Sequence, residues 1–246
     1  MQLVVARNYE ELSREAAGHI VRAIQGKPDL VLGLATGRTP VGLYRELVER
    51  FRRGEVDFSG VRTFNLDEYY PIDPAHPQSY RRFMEEHLFR HVNLRPGNTH
   101  IPDGLAPDAE AECRRYEDEI GRSGGIDLQV LGIGRNGHIG FNEPGTALGA
   151  TTQLVRLHED TIRVNSRDFG DSANVPRHAI SMGVRTIMQA RAILLLASGE
   201  EKAGIVTRAL QGEVCSEVPA SVLLLHPNLT VILDKPAAAG LERVPG

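Results

Sequence analysis

The chain is poor in several things, and each shortage narrows its chemistry. Its 246 residues include only two cysteines, Cys113 and Cys215, and no Cys-x-x-Cys pair. That argues against a metal cluster or a disulfide framework and fits a reducing, cytoplasmic setting. Both cysteines read as lying in helical segments. No apolar run approaches the length of a bilayer span. The opening Met1-Gln2-Leu3-Val4-Val5 is too short and has no basic flank, so no secretory signal is expected. The formal net charge is −4, which gives no electrostatic footprint for nucleic acid or an anionic membrane. No helix-turn-helix segment or basic patch precedes the domain, which disfavours a binding module such as the effector domain of a regulator. Repeats, low-complexity tracts and Pro/Gly/Ser linkers are also missing, so residues 1–246 read as one domain.

What is present is an ordinary globular composition, 41% hydrophobic and 24% charged, with strand-like and helix-like segments in alternation. Strands are expected at 3–6, 29–34, 61–66, 128–131, 192–197 and 229–233. Helices are expected at 9–24, 41–51, 80–91, 108–120 and 200–210, where apolar residues recur at helical spacing. This pattern predicts an α/β fold: a mostly parallel, doubly wound, Rossmann-like sheet with helices on both faces. Residues 144–180 are less periodic and read as an insertion or a lid over the site.

Three stretches carry chemistry. The first follows the strand ending at Leu34: Ala35-Thr36-Gly37-Arg38-Thr39-Pro40. Pro40 suits a first helical turn and Thr39 an N-cap, while Gly37 lets the backbone turn tightly. A strand, a Gly/Thr loop and a helix start together make an anion site. This loop has neither the P-loop nor the dinucleotide spelling, and an ordinary capped helix would read the same way. Lys202 opens another helix after a strand, where a cation opposes the helix dipole unless an anion sits alongside. Arg167 lies in the less periodic region and suits bidentate contact with phosphate.

The second stretch is Phe64-Asn65-Leu66-Asp67-Glu68-Tyr69-Tyr70. Two acids at a strand end are candidates for proton abstraction. A loop aspartate that caps local N–H groups is the competing reading. Neighbouring strand side chains face opposite ways, so Asp67 and Glu68 are expected to do different jobs.

The third stretch, Ile133 to Pro144, follows the buried strand that ends at Gly132. It holds Asn136, His138, Asn142 and Glu143 among Gly134, Gly137 and Gly140. His138 can exchange a proton near neutral pH, and Glu143 is close enough in sequence to orient it. Asn136 can hydrogen-bond but cannot act as a charged base. Gly137 is a further candidate contact for a substrate. One histidine, one glutamate and two asparagines do not make a zinc set. No G-x-S-x-G elbow is expected, which disfavours serine hydrolysis.

In this order, LATGRTP, FNLDEYY and GIGRNGHIGFNEP resemble the isomerising deaminases of the glucosamine/galactosamine-6-phosphate isomerase family. HPQSYRRFM, RVNSRDF and ASGEEKAGIV extend the likeness over nearly the whole chain. The related 6-phosphogluconolactonases, the alternative reading, usually carry Asp-Glu-Arg and Gly-His-Thr-Ala-Ser-Leu-Phe. This chain has Asp67-Glu68-Tyr69 and His138-Ile139-Gly140-Phe141-Asn142 at those places.

The resemblance implies conversion of glucosamine 6-phosphate and water to fructose 6-phosphate and ammonia, with no cofactor and no metal. Asp67 falls on the enolising base, and His138 on the ring-opening acid–base. Glu143 and Asn136 complete that group, although many members have Asp where Asn136 stands. Thr36, Gly37, Arg38, Thr39, Arg167 and Lys202 fall on the phosphate site, where Arg38 replaces a small residue. The partner implied is a small sugar phosphate, and a homo-oligomer is compatible. The family's allosteric members use basic residues shortly after Glu-Pro and a C-terminal extension. Here that stretch is Thr151-Thr152-Gln153-Leu154-Val155 and the chain stops soon after its last strand, so no allosteric effector is expected.

Overall fold

The computed structural model describes residues 1–171 and 174–242; the side chains of residues 160, 164, 165, 167 and 168 lie outside the description. Seven parallel strands form the central sheet: β1 (Gln2–Ala6), β2 (Val31–Leu34), β3 (Arg62–Asn65), β5 (Thr99–His100), β6 (Leu128–Gly132), β9 (Ala192–Ala197) and β10 (Leu229–Asp234). Their order is β1-β10-β9-β6-β2-β3-β5. The parallel α/β reading therefore holds.

Strand alternation divides the core in two. On β9, Leu194 and Leu196 face α1 (Tyr9–Gly26), α2 (Pro40–Arg52) and α3 (Tyr80–His87), packing with Leu12, Ile20, Leu43, Leu47 and Met84. Ile193 and Leu195 face the other side, against Tyr116 of α4 (Ala109–Arg122), Ile187 of α6 (Val184–Met188) and Val206 of α7 (Ala203–Gln211). Local chemistry fixes the helix starts: Asn8 accepts from Glu11 N, Ser79 from Arg82 N, and Asp108 from Glu110 N and Ala111 N. A short α8 (Lys235–Ala238) follows β10, capped by Asp234.

The chain order places the site. From β2 the chain moves outward through β3 to β5, whereas from β6 it moves the other way through β9 and β10. Strands β2 and β6 are neighbours, with Leu32 opposite Leu128. Their carboxyl ends form the switch point at which open α/β sheets bind ligands, and the loops after them are the first and third stretches above.

Several elements differ from the sequence reading. Asp67–Tyr70 forms β4, the edge of a three-stranded antiparallel sheet completed by β7 (Gln153–Arg156) and β8 (His178–Ser181). Residues 144–180 thus contain β7, the helix α5 (Glu159–Phe169) and most of β8. The helix expected over 80–91 ends at His87, because Leu88 leaves helical geometry at φ −141° and ψ −59°. Cys215 lies outside any helix, past the end of α7. The run Gly121-Arg122-Ser123-Gly124-Gly125 does spell G-x-S-x-G. It sits where α4 ends, ahead of β6, which reverses the strand-turn-helix order of an elbow.

Candidate active site

The loop after β2 is shaped by Gly37, whose φ of +100° favours glycine. Pro40 begins α2 as expected, but Thr39 takes a helical conformation and its side chain makes no capping bond. Its hydroxyl is therefore not spent on the helix. The loop is braced from behind by Tyr9, whose hydroxyl donates to Thr39 O at 2.9 Å and accepts from Gly42 N at 2.7 Å. Arg38 is exposed. It borders a cleft of about 340 Å³ shared with Gly37, Tyr69, Ser79, Tyr80 and Phe169.

Lys202 reaches across the switch point from the turn after β9, its Nζ donating to Ile133 O at 2.8 Å. Burial holds its ammonium below the usual lysine range; Glu201 opposes this and Arg135 adds to it. The turn itself is anchored by Asp234, which accepts from Ser198 Oγ and from Gly199 N. Arg167 belongs to α5, but its side chain lies outside the described residues.

Asp67 opens β4 and pairs with Ser181 of β8. It is 5% exposed and receives no hydrogen bond from any described residue. Burial, reinforced by neighbouring Glu68, pushes its carboxyl up to about 8. Glu68 is handled differently, as strand alternation predicts. It accepts from Tyr69 N at 3.0 Å, Tyr80 N at 2.9 Å and Arg81 N at 3.0 Å, which ties β4 to the first turn of α3. Burial raises Glu68 to about 7 despite those donors. The end of β3 is held by Tyr116, whose hydroxyl donates to Asn65 O at 2.7 Å.

The loop after β6 folds against this aspartate. A Cβ on Gly140 would stand 3.4 Å from Asp67 Oδ2 and 3.2 Å from Ser181 Oγ, so the loop backbone packs directly on the acid. The loop is internally tied: Gly134 N donates to His138 O at 2.9 Å, and Asn142 Nδ2 donates to Ile139 O and Met182 O, each at 2.8 Å. Gly137 donates its N–H to Gly134 O at 3.1 Å and accepts from Ala220 N at 2.9 Å. Both its main-chain groups are thus engaged, and Gly137 shapes the loop rather than offering a free donor. Gly132 to Gly137 spells G-x-G-x-x-G, but turns follow instead of a helix, so no pyrophosphate cradle forms.

Within this loop Asn136, His138 and Glu143 come together. Glu143 Oε2 accepts from Asn136 Nδ2 at 2.6 Å and lies 3.5 Å from His138 Nδ1, an electrostatic contact longer than a normal hydrogen bond. Asn136 Oδ1 accepts from His138 N at 3.2 Å. Glu143 Oε1 accepts from Thr161 of α5 at 2.6 Å. Burial alone would raise the Glu143 carboxyl, but His138, Thr161 and Asn136 together hold it at about 2. The carboxylate is therefore ionised at any working pH.

Sequence reasoning missed two partners. Tyr80 packs its ring on Tyr69 at 4.9 Å and its phenol is affected by Thr36 and by the charge of Asp67, so it bridges the first two stretches. Its only signal was its place in HPQSYRRFM. Thr161 had none, since the contact spans 18 residues. Among the described residues no group of three or more His, Cys, Asp or Glu could hold a metal. No helix among them is long and apolar enough to cross a membrane.

The family of glucosamine-6-phosphate isomerases and 6-phosphogluconolactonases matches residues 6–232. A glucosamine-6-phosphate deaminase of Halothermothrix orenii is 56% identical over 239 residues, 97% of this chain and 99% of that one. A solved monomeric glucosamine-6-phosphate deaminase superposes with a TM-score of 0.96 at 45% identity, covering 98% of this chain and all of that one (100%). The 6-phosphogluconolactonase from Trypanosoma cruzi superposes at 0.79 with 22% identity over 98% of this chain and 97% of that one, a likeness of fold alone.

Proposed function

The chain belongs to the glucosamine-6-phosphate isomerase and 6-phosphogluconolactonase family, and we infer that it is an enzyme of the deaminase branch. It converts glucosamine 6-phosphate and water to fructose 6-phosphate and ammonia. The observation that carries this reading is the 56% identity to a glucosamine-6-phosphate deaminase along 97% of the chain. The site supports it with a buried carboxylate and a histidine loop packed onto each other.

The chemistry follows from the substrate. In the closed ring the C2 proton is not acidic, so the ring must open first. His138 takes the C1 hydroxyl proton and returns it to the ring oxygen as the C1–O5 bond breaks. Glu143, facing Nδ1, and Asn136 orient the imidazole so that Nε2 faces the sugar. The resulting C1 aldehyde makes the C2 proton removable, and Asp67 accepts it. The electron pair moves to the C1 oxygen as an enolate, and this takes a proton from the substrate's own ammonium, leaving an enol that bears a neutral amino group on C2. Return of a proton to C1 gives an imine at C2. Water adds there and ammonia leaves, so the net reaction consumes one water in a hydrolytic deamination.

Thr36, Gly37, Arg38, Thr39, Arg167 and Lys202 bind the phosphate, far from the reacting carbons. Their binding energy positions the sugar and is realised in the chemical step. Residues 144–180, anchored through β7 and β8 on the strand that carries Asp67, act as the lid, with Thr161 reaching Glu143. The setting that suits this chemistry is amino-sugar breakdown in the cytoplasm. The stretch 151–155 carries no basic residue, so the enzyme is read as non-allosteric.

Purified protein should release ammonia from glucosamine 6-phosphate in step with fructose 6-phosphate. Rates should stay hyperbolic and unresponsive to N-acetylglucosamine 6-phosphate. Hydrolysis of 6-phosphogluconolactone without ammonia release would select the lactonase reading instead.

A further inference from the structure

The carboxylate behind Asp67 has no place in the mechanism above. Glu68 is 2% exposed and Asp67 is 5% exposed, on adjacent positions of one short strand. Asp67 meets the histidine loop at Gly140. Glu68 points the other way, toward a cavity of about 220 Å³ shared with Arg81, Asp103 and Gly104. Burying two like charges side by side is unfavourable unless one of them is stabilised. The structure stabilises Glu68, with three main-chain donors, and leaves Asp67 without one.

We propose that Glu68 is a positioning residue whose negative charge governs when Asp67 can ionise, so that it sets the working pH range of the base. The proposal rests on the deaminase reading, in which Asp67 is that base. The pair loses its protons in two coupled steps. Glu68 goes first, because three N–H groups favour its charged form. Asp67 goes second, against the charge already present. Other titratable groups lie around the pair: Tyr80 and Arg81 from α3, Tyr116 from α4, and Asp103 across the cavity, while His138 and Glu143 belong to the loop after β6 whose Gly140 meets Asp67. Of these, Arg81 acts on Glu68, and Tyr80 and Tyr116 each feel Asp67. Glu68 is the one whose charge opposes that of Asp67 from the same strand.

The test compares pH profiles of kcat/KM for the wild type, Glu68→Gln and Glu68→Asp. In Glu68→Gln the acid limb should move down by about half a unit to one unit. At pH values below the limb its rate, relative to its own plateau, should then exceed the wild-type ratio roughly three- to tenfold. Glu68→Asp keeps the charge and loosens the clamp, so its plateau should fall while its limb stays. A Glu68→Gln profile with a lower plateau and an unmoved limb would overturn the proposal and leave Glu68 a purely structural clamp. Carboxyl-carbon NMR of the wild type needs no variant to fold: the Glu68 resonance should titrate before that of Asp67. Titration of Asp67 first, or with no inflection as Glu68 ionises, would also overturn it. A wild type that titrates in this order yet deaminates nothing would count against the functional reading and leave the coupling intact.

Discussion

Glu143 holds its carboxylate 3.5 Å from His138 Nδ1 while the same oxygen accepts from Asn136 at 2.6 Å. One carboxylate thus contacts both Asn136 and His138. Its carboxyl sits at about 2, so this contact keeps its charge throughout the neutral range. Glu143→Gln should lower kcat by roughly 10- to 100-fold, the usual cost of losing the carboxylate partner of a functional histidine. KM should change little, because Glu143 is assigned to the proton transfer and not to holding the phosphate. Steady-state kinetics on glucosamine 6-phosphate check this, and an unchanged kcat would remove Glu143 from the ring-opening group.

Asp67→Asn should separate activity from stability. Loss of the base should lower kcat by roughly 10²- to 10⁴-fold. The same change should raise the melting temperature. The folded carboxyl titrates near 8 against an ordinary value of 3.8, so between those pH values the folded state holds a proton that the unfolded chain has released. Stability therefore falls as pH rises from about 4 to about 8. Asparagine removes that slope, leaving the smaller contribution of Glu68. Near pH 8 the gain should be on the order of 5 °C. A variant melting below the wild type at that pH would mean that the aspartate is not buried as a disfavoured charge.

The raised carboxyl also shapes the rate profile. With Asp67 as the proposed base the active form needs it ionised, and burial pushes that carboxyl up to about 8 in the free protein. The acid limb of kcat/KM should therefore have its midpoint in that region, falling tenfold per unit below it. In kcat the limb should lie lower, because the bound substrate brings an ammonium toward the carboxylate and favours its charged form. A kcat/KM that is flat from pH 6 to 9 would show that no such group controls the free enzyme.

The parallel sheet was legible because its strands are apolar runs buried on both faces, as in Ile193-Leu194-Leu195-Leu196. The second sheet was not, because β4 and β7 are four-residue strands such as Asp67-Glu68-Tyr69-Tyr70, too short and polar to show a period. The site divides along the same line. His138, Asn136 and Glu143 sit within eight residues, counting both ends from 136 to 143, and their grouping could be read directly. The tie from Glu68 to Tyr80 N spans 12 residues and that from Thr161 to Glu143 spans 18. Such contacts arise only when α3 and α5 dock, which no local pattern encodes. Thr39 shows the reverse failure: the residue type suits a cap, but the backbone turns into the helix a residue early and the hydroxyl is left out.

Gly134 offers the sharpest test of how tightly the histidine is placed. The ring of His138 lies over Gly134 so closely that a Cβ there would overlap Nδ1, Cε1 and Nε2. Gly134 is not at a positive φ, so its backbone does not by itself exclude alanine, and the three nearest conflicts are all with the imidazole. Two of the ring atoms in that overlap are the nitrogens assigned to Glu143 and to the sugar. Gly134→Ala must therefore move the imidazole while leaving Asp67, Lys202 and the 36–39 loop unchanged. A displacement of about 1 Å at a reacting group costs on the order of 10²-fold in rate. The variant should lose kcat by that order, keep a KM close to wild type and melt as one cooperative unit. A Gly134→Ala enzyme with full kcat would mean either that the ring has room to move without cost or that His138 does not perform the proton transfer.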